Sequence, residues 1–277
     1  MLEFSSLVIW VPESEFMSSK VWIVIPARFD SSRFPGKPLA MLHERPMIAW
    51  VLKACQAVSR QCEVVVATDD KRIAAVVENY GGRVEMTSVS HQSGSARLAE
   101  VARRNPQVEW FVNVQGDEPG IEPELIDKVI ERLQKRALPD LVVSAAVPLT
   151  NAAAYSSPDV VKVVTDFNDR ALYFSRAPIP FFQAENGAES VFAGGHIPVR
   201  QHLGIYGYSG IFLQQLPDLR PGMLAAAENL EQLNWLENGF SMEMVFWDSV
   251  WSGIDTPAEL EQFAASWPGP AATRKDR

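Results

Sequence analysis

The sequence predicts an α/β fold, a mostly parallel sheet with helices on both faces and a smaller antiparallel subregion, and three observations lead to it. Apolar, β-branched runs of strand length alternate with segments whose apolar residues recur at helical spacing, strand then helix, through the first half. That order favours parallel pairing with right-handed crossovers. In the second half, strand-like runs flank Asn168-Asp169 as a hairpin does, which predicts antiparallel pairing. Finally, 277 residues suffice for one large domain or two joined lobes, burying about three-quarters of the unfolded surface.

Taken in order, VWIVI from Val21 is a buried strand, and Pro26 is expected to end its ladder. The loop that follows then emerges at the carboxyl edge of the sheet, where open α/β sheets bind ligands. Pro46 opens a helix through MIAWVLKACQAV. EVVVA is a second strand ending at Thr68, Asp69 and Asp70, and the helix through Ile73, Val76 and Val77 stops at Gly81-Gly82. RVEMT, ARLAEVARR and WFVNV read as strand, helix and strand, with another helix beginning near Pro123. VVKVVTDF and ALYFSR form the hairpin, and residues 177–201, rich in Pro, Gly and polar side chains, are expected to be a mobile loop. HLGIYGY resumes a strand, ENLEQLNWLENG is an amphipathic helix closed by Gly239, SMEMVFW is a strand, and GIDTP leads into a final helix.

The net charge of −9 argues against a nucleic-acid partner, whose binders carry a clustered basic face. Acidic metabolites must then be captured by local cations. No apolar run approaches the ~20 residues of a membrane span; LVIWV near the start is five long. Residues 1–19 read as a dispensable extension with a second methionine at Met17, and residues 268–277 as a disordered tail. Cys55 and Cys62 lack CxxC spacing and read as reduced core residues of a cytosolic protein.

The stretch IVIPARFDSSRFPGKP carries Arg28, Arg33 and Lys37 straight out of the first strand. Three cations alone fit an ordinary solvated loop; their order with small residues and glycine fits a triphosphate grip. Neither GxxxxGK[ST] nor GxGxxG is present, which disfavours P-loop hydrolases, kinases and dinucleotide dehydrogenases. WFVNV delivers Gln115-Gly116-Asp117-Glu118-Pro119 to the same edge, where Asp117 suits a hard cation, although a capping turn is the plainer reading of those residues alone. Thr68 and Asp69 join the nucleotide-binding set from the next strand end. His91-Gln92-Ser93-Gly94-Ser95 offers hydroxyls and exposed backbone to a ligand, or a helix cap through Ser93 or Ser95. In the second half Lys162, Arg176, His202, Tyr206, Glu231 and Gln232 are the polar residues that could bind a ligand, with cations for an anion and side chains that donate and accept. A lone His or Tyr in a strand is more often a core residue.

From roughly Lys20 to Trp267, PARFDSSRFPGKP, SGS, QGDEP, YFSRAPIPF, HLGIYGY, LEQLNWLENG and GIDTP resemble in order the motifs of the 3-deoxy-manno-octulosonate (Kdo) cytidylyltransferases, within the sugar nucleotidyltransferase superfamily. The resemblance implies a Rossmann-like nucleotidyltransferase domain over 20–267, with a nucleotide-binding half (20–150) and a sugar-binding and dimerisation half (151–267). It implies a Mg²⁺-dependent cytoplasmic homodimer that transfers CMP from CTP to the anomeric hydroxyl of Kdo, an acidic eight-carbon sugar, for lipopolysaccharide biosynthesis. By the same resemblance, Arg28 and Lys37 neutralise the triphosphate with Arg33 in support, Asp117 and Asp255 hold the metal, and Ser93, Gly94 and Ser95 select the base. Lys162, Arg176, His202, Tyr206, Glu231 and Gln232 then form the sugar pocket. Three positions depart from the pattern: Ala96 replaces an acid beside Arg97, Asp30 puts an anion in the phosphate loop, and Asn234 replaces Arg or Lys. Two alternatives stay open, the same reaction on a variant such as 8-amino-Kdo and a degenerate paralogue that binds nucleotide without turnover.

Overall fold

The computed structural model describes residues 21–267 and 269, apart from 32, 184–191, 193–198 and 252. The expected extension, nearly all of the 268–277 tail and most of the 177–201 loop lie outside the described residues. The strands are β1 (Val21–Ala27), β2 (Met41–Leu42), β3 (Arg45–Pro46), β4 (Glu63–Thr68), β5 (Arg83–Met86), β6 (Trp110–Asn113), β7 (Val142–Pro148), β8 (Lys162–Thr165), β9 (Ala171–Ser175), β10 (Arg200–Ser209) and β11 (Met242–Phe246). The helices are α1 (Met47–Gln56), α2 (Lys71–Asn79), α3 (Gly94–Arg104), α4 (Pro123–Arg136), α5 (Ala152–Ser156), α6 (Gly210–Gln215), α7 (Met223–Glu228), α8 (Glu231–Glu237) and α9 (Pro257–Ser266).

Alternation along β1 divides the core. Val21, Ile23 and Ile25 enter one apolar layer with Ile48 and Leu52 of α1, Ile73 and Val77 of α2, and Leu125 and Val129 of α4. Trp22 and Val24 enter the other with Leu98 and Val101 of α3, Phe212 of α6 and Trp235 of α8. A strand covered on both faces must be apolar throughout, as VWIVI is. Each large side chain so buried contributes about 1.5–3 kcal/mol.

The main sheet runs β5-β4-β1-β6-β10-β7-β11, with β8 beside β10 and β9 beyond it. β5, β4, β1 and β6 are parallel. The chain builds β4 and β5 on one side of β1 and then places β6 on the other, so the sheet reverses direction there. Such a switch point opens a crevice at the carboxyl ends of the strands. β10 runs antiparallel to both β6 and β7, while β11 is parallel to β7. The expected hairpin is present as β8 and β9, with Asp169 in the left-handed region at its turn.

Three details differ from the sequence pattern. Pro26 does not end the ladder: it lies inside β1, opposite Ala67 of β4. Val24 faces β6 through its carbonyl, which accepts from Val114, so Pro26, two residues on, turns its missing N–H to the side where β6 pairing has already ended. ENLEQLNWLENG is not one helix, because Asn229 adopts a left-handed φ of 52° and Leu230 is extended before α8 starts at Glu231. The run Val142–Pro148, to which the sequence pattern assigns no element, is β7, a fully covered strand between β10 and β11.

Candidate active site

A cleft of about 300 Å³ opens at the carboxyl ends of β1 and β6. The loop after β1 contributes Arg28, Arg33 and Lys37 to its lining, the start of α3 contributes Ser93, Gly94 and Arg97, and the loop after β6 contributes Gln115 and Asp117. Asp255 completes it from the segment before α9. The β1 loop folds back on itself because Gly36 takes a φ of 73° and its N–H donates to the Phe29 carbonyl at 2.8 Å. A Cβ on Gly36 would lie 3.0 Å from the Phe29 ring, so the turn needs glycine on both counts. A short 3₁₀ turn, Lys37–Leu39, then anchors Lys37 through buried Pro38.

Lys37 stands at the centre of the charged groups. Its Nζ donates to Asp117 Oδ2 at 2.5 Å and to Asp255 Oδ1 at 3.0 Å, and Arg33 pairs with Asp255 Oδ2 at 2.8 Å. Burial works to lower the Lys37 pKa, but the Asp117 and Asp255 carboxylates outweigh it and the net shift is upward. For Asp255, burial works upward and is outweighed by Lys37 and Arg33, leaving its pKa below the usual range.

Asp117 and Asp255, far apart in sequence, are joined by main chain. The Ile254 N–H donates to the Asp117 carbonyl at 3.0 Å. Around that bond, the Trp251 and Trp247 indoles donate to Glu118 and Glu122, each at 3.3 Å. On the far side Glu259 Oε2 accepts from the backbone of Asp255 at 2.7 Å and of Thr256 at 2.9 Å, and Thr256 Oγ1 accepts from Glu259 N at 3.2 Å. This capping box fixes the backbone of Asp255 to the first turn of α9. Burial, and then the Asp117 charge, push the Glu118 carboxyl up to about 8.

Ser93 and Ser95 do cap and cluster at once. Ser93 Oγ accepts from Ala96 N at 3.2 Å, the α3 cap, and lies 3.1 Å from Glu231 Oε1, to which the Ser95 hydroxyl also donates. Glu231 of α8 therefore ties the second half to this side of the cleft. His91 is held by Glu100, which also accepts from Ser88 N at 2.9 Å. Thr68 and Asp69, by contrast, sit outside the cleft lining. Thr68 is fully buried and accepts from Asp70 N at 3.2 Å, and Asp69 Oδ2 holds Arg97 at 2.6 Å.

That contact answers the first departure in the sequence: the partner of Arg97, absent at Ala96, is Asp69, with the Thr87 hydroxyl beside it. Arg97 is a further lining cation, and its place one turn after Ser93 on the same face of α3 is the sequence signal for it. Asp30 has a counter-charge too. Arg72, stacked on the Phe29 ring and bound by Asp70, lies close enough for Asp30 to help raise its pKa. Asn234 faces the start of α7 at Gly222.

The six sugar-pocket expectations separate into two groups. Tyr206 lies 5.5 Å from the His202 ring centre to centre, and its hydroxyl donates to Gln232 Oε1 at 3.4 Å, next to Glu231. Burial holds the His202 imidazole down to about 3, its Nε2 meeting Ser144 Oγ at 2.8 Å. Lys162 and Arg176 are engaged by main chain instead. The Lys162 ammonium, fully buried, donates to the carbonyls of Ser157 (2.8 Å), Val160 (2.7 Å) and Arg176 (2.5 Å). Arg176 bonds the Glu228 and Pro158 carbonyls at 2.9 and 3.0 Å. Lys162 ties the start of β8 to the chain before it and to the end of β9, and Arg176 ties the end of β9 to α7.

Comparison with known proteins agrees with this layout. Residues 22–244 match the family described as Cytidylyltransferase. A 3-deoxy-manno-octulosonate cytidylyltransferase of Geotalea uraniireducens is 43% identical over 245 residues, 88% of this chain and 97% of that protein. One of the same name from Geobacter sulfurreducens is 45% identical over 241 residues, 86% of this chain and 96% of the other. A solved CMP:2-keto-3-deoxy-manno-octonic acid synthetase, complexed with CTP, superposes with a TM-score of 0.82 at 38% identity, covering 90% of this chain and 98% of that one.

Proposed function

The chain belongs to the cytidylyltransferase family, among the 3-deoxy-manno-octulosonate cytidylyltransferases, and from that premise we propose that it transfers CMP from CTP to the anomeric hydroxyl of Kdo. The hydroxyl oxygen attacks the α-phosphorus in line; the bond to the bridging oxygen breaks, pyrophosphate leaves, and the hydroxyl gives up its proton. The observation that carries this reading is the convergence of Asp117 and Asp255 on a cleft lined by Arg28, Arg33 and Lys37.

Charge develops on phosphate oxygens during such a transfer, so positioning and electrostatics do most of the catalysis. Arg28 and Lys37 take the triphosphate, Arg33 and Arg97 flank it, and Gln115, Ser93, Gly94 and Ser95 receive the nucleoside. The donor set fits Mg²⁺, which is commonly held by one or two carboxylates and completed by substrate phosphates and water. No third His, Cys, Asp or Glu groups with these two among the described residues. Asp117 and Asp255 would hold the ion, which when bound supplies a Lewis acid that acidifies the attacking hydroxyl and offsets phosphate charge.

For the sugar, His202, Tyr206, Glu231 and Gln232 are the pocket, supported by their contact with the cleft through Glu231 and Ser93. Residues 20–150 then serve the nucleotide and 151–267 the sugar. The setting is the cytoplasm; among the described residues no helix is long and apolar enough to cross a membrane. The protein acts as a homodimer through its second half, a reading supported by the exposed apolar side chains of Phe167, Leu172 and Met223. Pyrophosphate release from CTP tests the function. It should require Kdo, should fall at least tenfold with UTP, and should be weaker with 8-amino-Kdo. Release with no sugar dependence would reject the reaction.

A further inference from the structure

An ammonium bonded to two carboxylates is itself a bound cation. Lys37 Nζ lies within hydrogen-bond distance of one oxygen of Asp117 and one of Asp255, and only 12% of its side chain is exposed. Without it the two carboxylates, held together by the Ile254–Asp117 main-chain bond, would face each other with no cation between them. Arg33 reaches Asp255 alone, from a largely exposed position, and does not substitute for Lys37 between the pair.

We propose that Lys37 is a placeholder for the divalent cation: its ammonium occupies the metal position in the nucleotide-free protein and leaves when a triphosphate enters. This inference rests on reading Asp117 and Asp255 as the metal pair. An ammonium and a divalent cation cannot share the space between the same oxygens, so metal binding requires the lysine to move. The incoming phosphates are what move it, because they offer the ammonium new acceptors at the mouth of the same cleft. The exchange leaves neither anion bare: a monovalent ammonium leaves the carboxylates as a divalent ion arrives, and the ammonium goes to the phosphates. Metal and nucleotide therefore bind as a linked pair, with little metal taken up by the free protein. The flexible four-carbon stem of lysine suits this movement, whereas arginine would hold the carboxylates in a rigid fork.

The test is Mn²⁺ titration of the nucleotide-free protein, followed through the electron paramagnetic resonance signal of the free ion. Wild type should bind Mn²⁺ weakly, Lys37→Met at least tenfold more tightly, and Lys37→Met/Asp117→Asn no better than wild type. Adding CTP to wild type should raise Mn²⁺ uptake at least tenfold above that of CTP alone. Lys37→Gln, which keeps length and polarity, replaces Lys37→Met if circular dichroism shows the latter misfolded. Wild type binding Mn²⁺ as tightly as the Lys37 variants, with Asp117→Asn abolishing it, would overturn the placeholder role and leave the metal pair standing. No Mn²⁺ uptake by the Lys37 variants beyond that of CTP alone, with or without nucleotide, would overturn both.

Discussion

Arg97 lies in the wall of the cleft, 3% exposed, with its guanidinium on Asp69 and Thr87. Removing one partner of such a pair leaves a charge buried and costs about 3–5 kcal/mol. Asp69→Ala should therefore lower the melting temperature markedly and raise the KM for CTP, whereas Ala96→Glu should change steady-state kinetics less than about threefold, since Arg97 already has its acid. His202 makes a separate residue-scale prediction. Its folded pKa of about 3 is below the ~6.5 of an unfolded histidine. The unfolded chain then binds the extra proton between those values, so stability is full above pH ~6.5 and falls as pH drops toward 3. Urea unfolding from pH 7 to 5 should show that loss, and His202→Gln should show a flatter slope. Individual residues were legible where their chemistry is local. Arg28, Arg33, Lys37, Asp117 and Asp255 all belong to contiguous motifs and all line one cleft. The partners of Lys162 and Arg176 were not legible, because they are main-chain carbonyls, which carry no sequence signal until the chain is folded.

The segment from β11 to α9 shows how an element delivers a side chain. Trp247, Trp251 and Ile254 bond to the loop after β6, and the capping box of α9 holds the Asp255 backbone. Loss of such a cap costs about 1 kcal/mol. Glu259→Ala should lower stability by roughly that amount and reduce kcat several-fold with little change in the KM for CTP, because the position of Asp255 is loosened while the nucleotide contacts remain. An unchanged kcat would mean that Asp255 is fixed by its other neighbours. α1 and α2 were legible from their apolar spacing, and β1 from its unbroken β-branched run. β7 was not, since Ser144, Ala145 and Ala146 interrupt its β-branched run, and the break at Asn229 depends on a single left-handed residue.

Over the whole molecule, one sheet takes strands from both halves of the chain, with β10 lying between β6 and β7. Parallel order was readable in the first half, but the return of β10 to the sheet centre depends on long-range pairing that local pattern does not encode. At the opposite extreme β9 has, among the described residues, only β8 as a strand partner, and it exposes Leu172. Such an edge invites pairing with another chain. Light scattering should give twice the 30.8 kDa chain mass, and Leu172→Glu should shift the protein toward monomer.

Everything in the proposed chemistry depends on Asp117 and Asp255 acting together, and a double-mutant cycle on kcat measures that directly. Folded Asp117→Asn and Asp255→Asn should each lose at least about a hundredfold in Kdo-dependent pyrophosphate release from CTP, and the double variant should lose little more than the worse single one. Near-native turnover in either single variant, or losses that multiply in the double, would contradict a shared site.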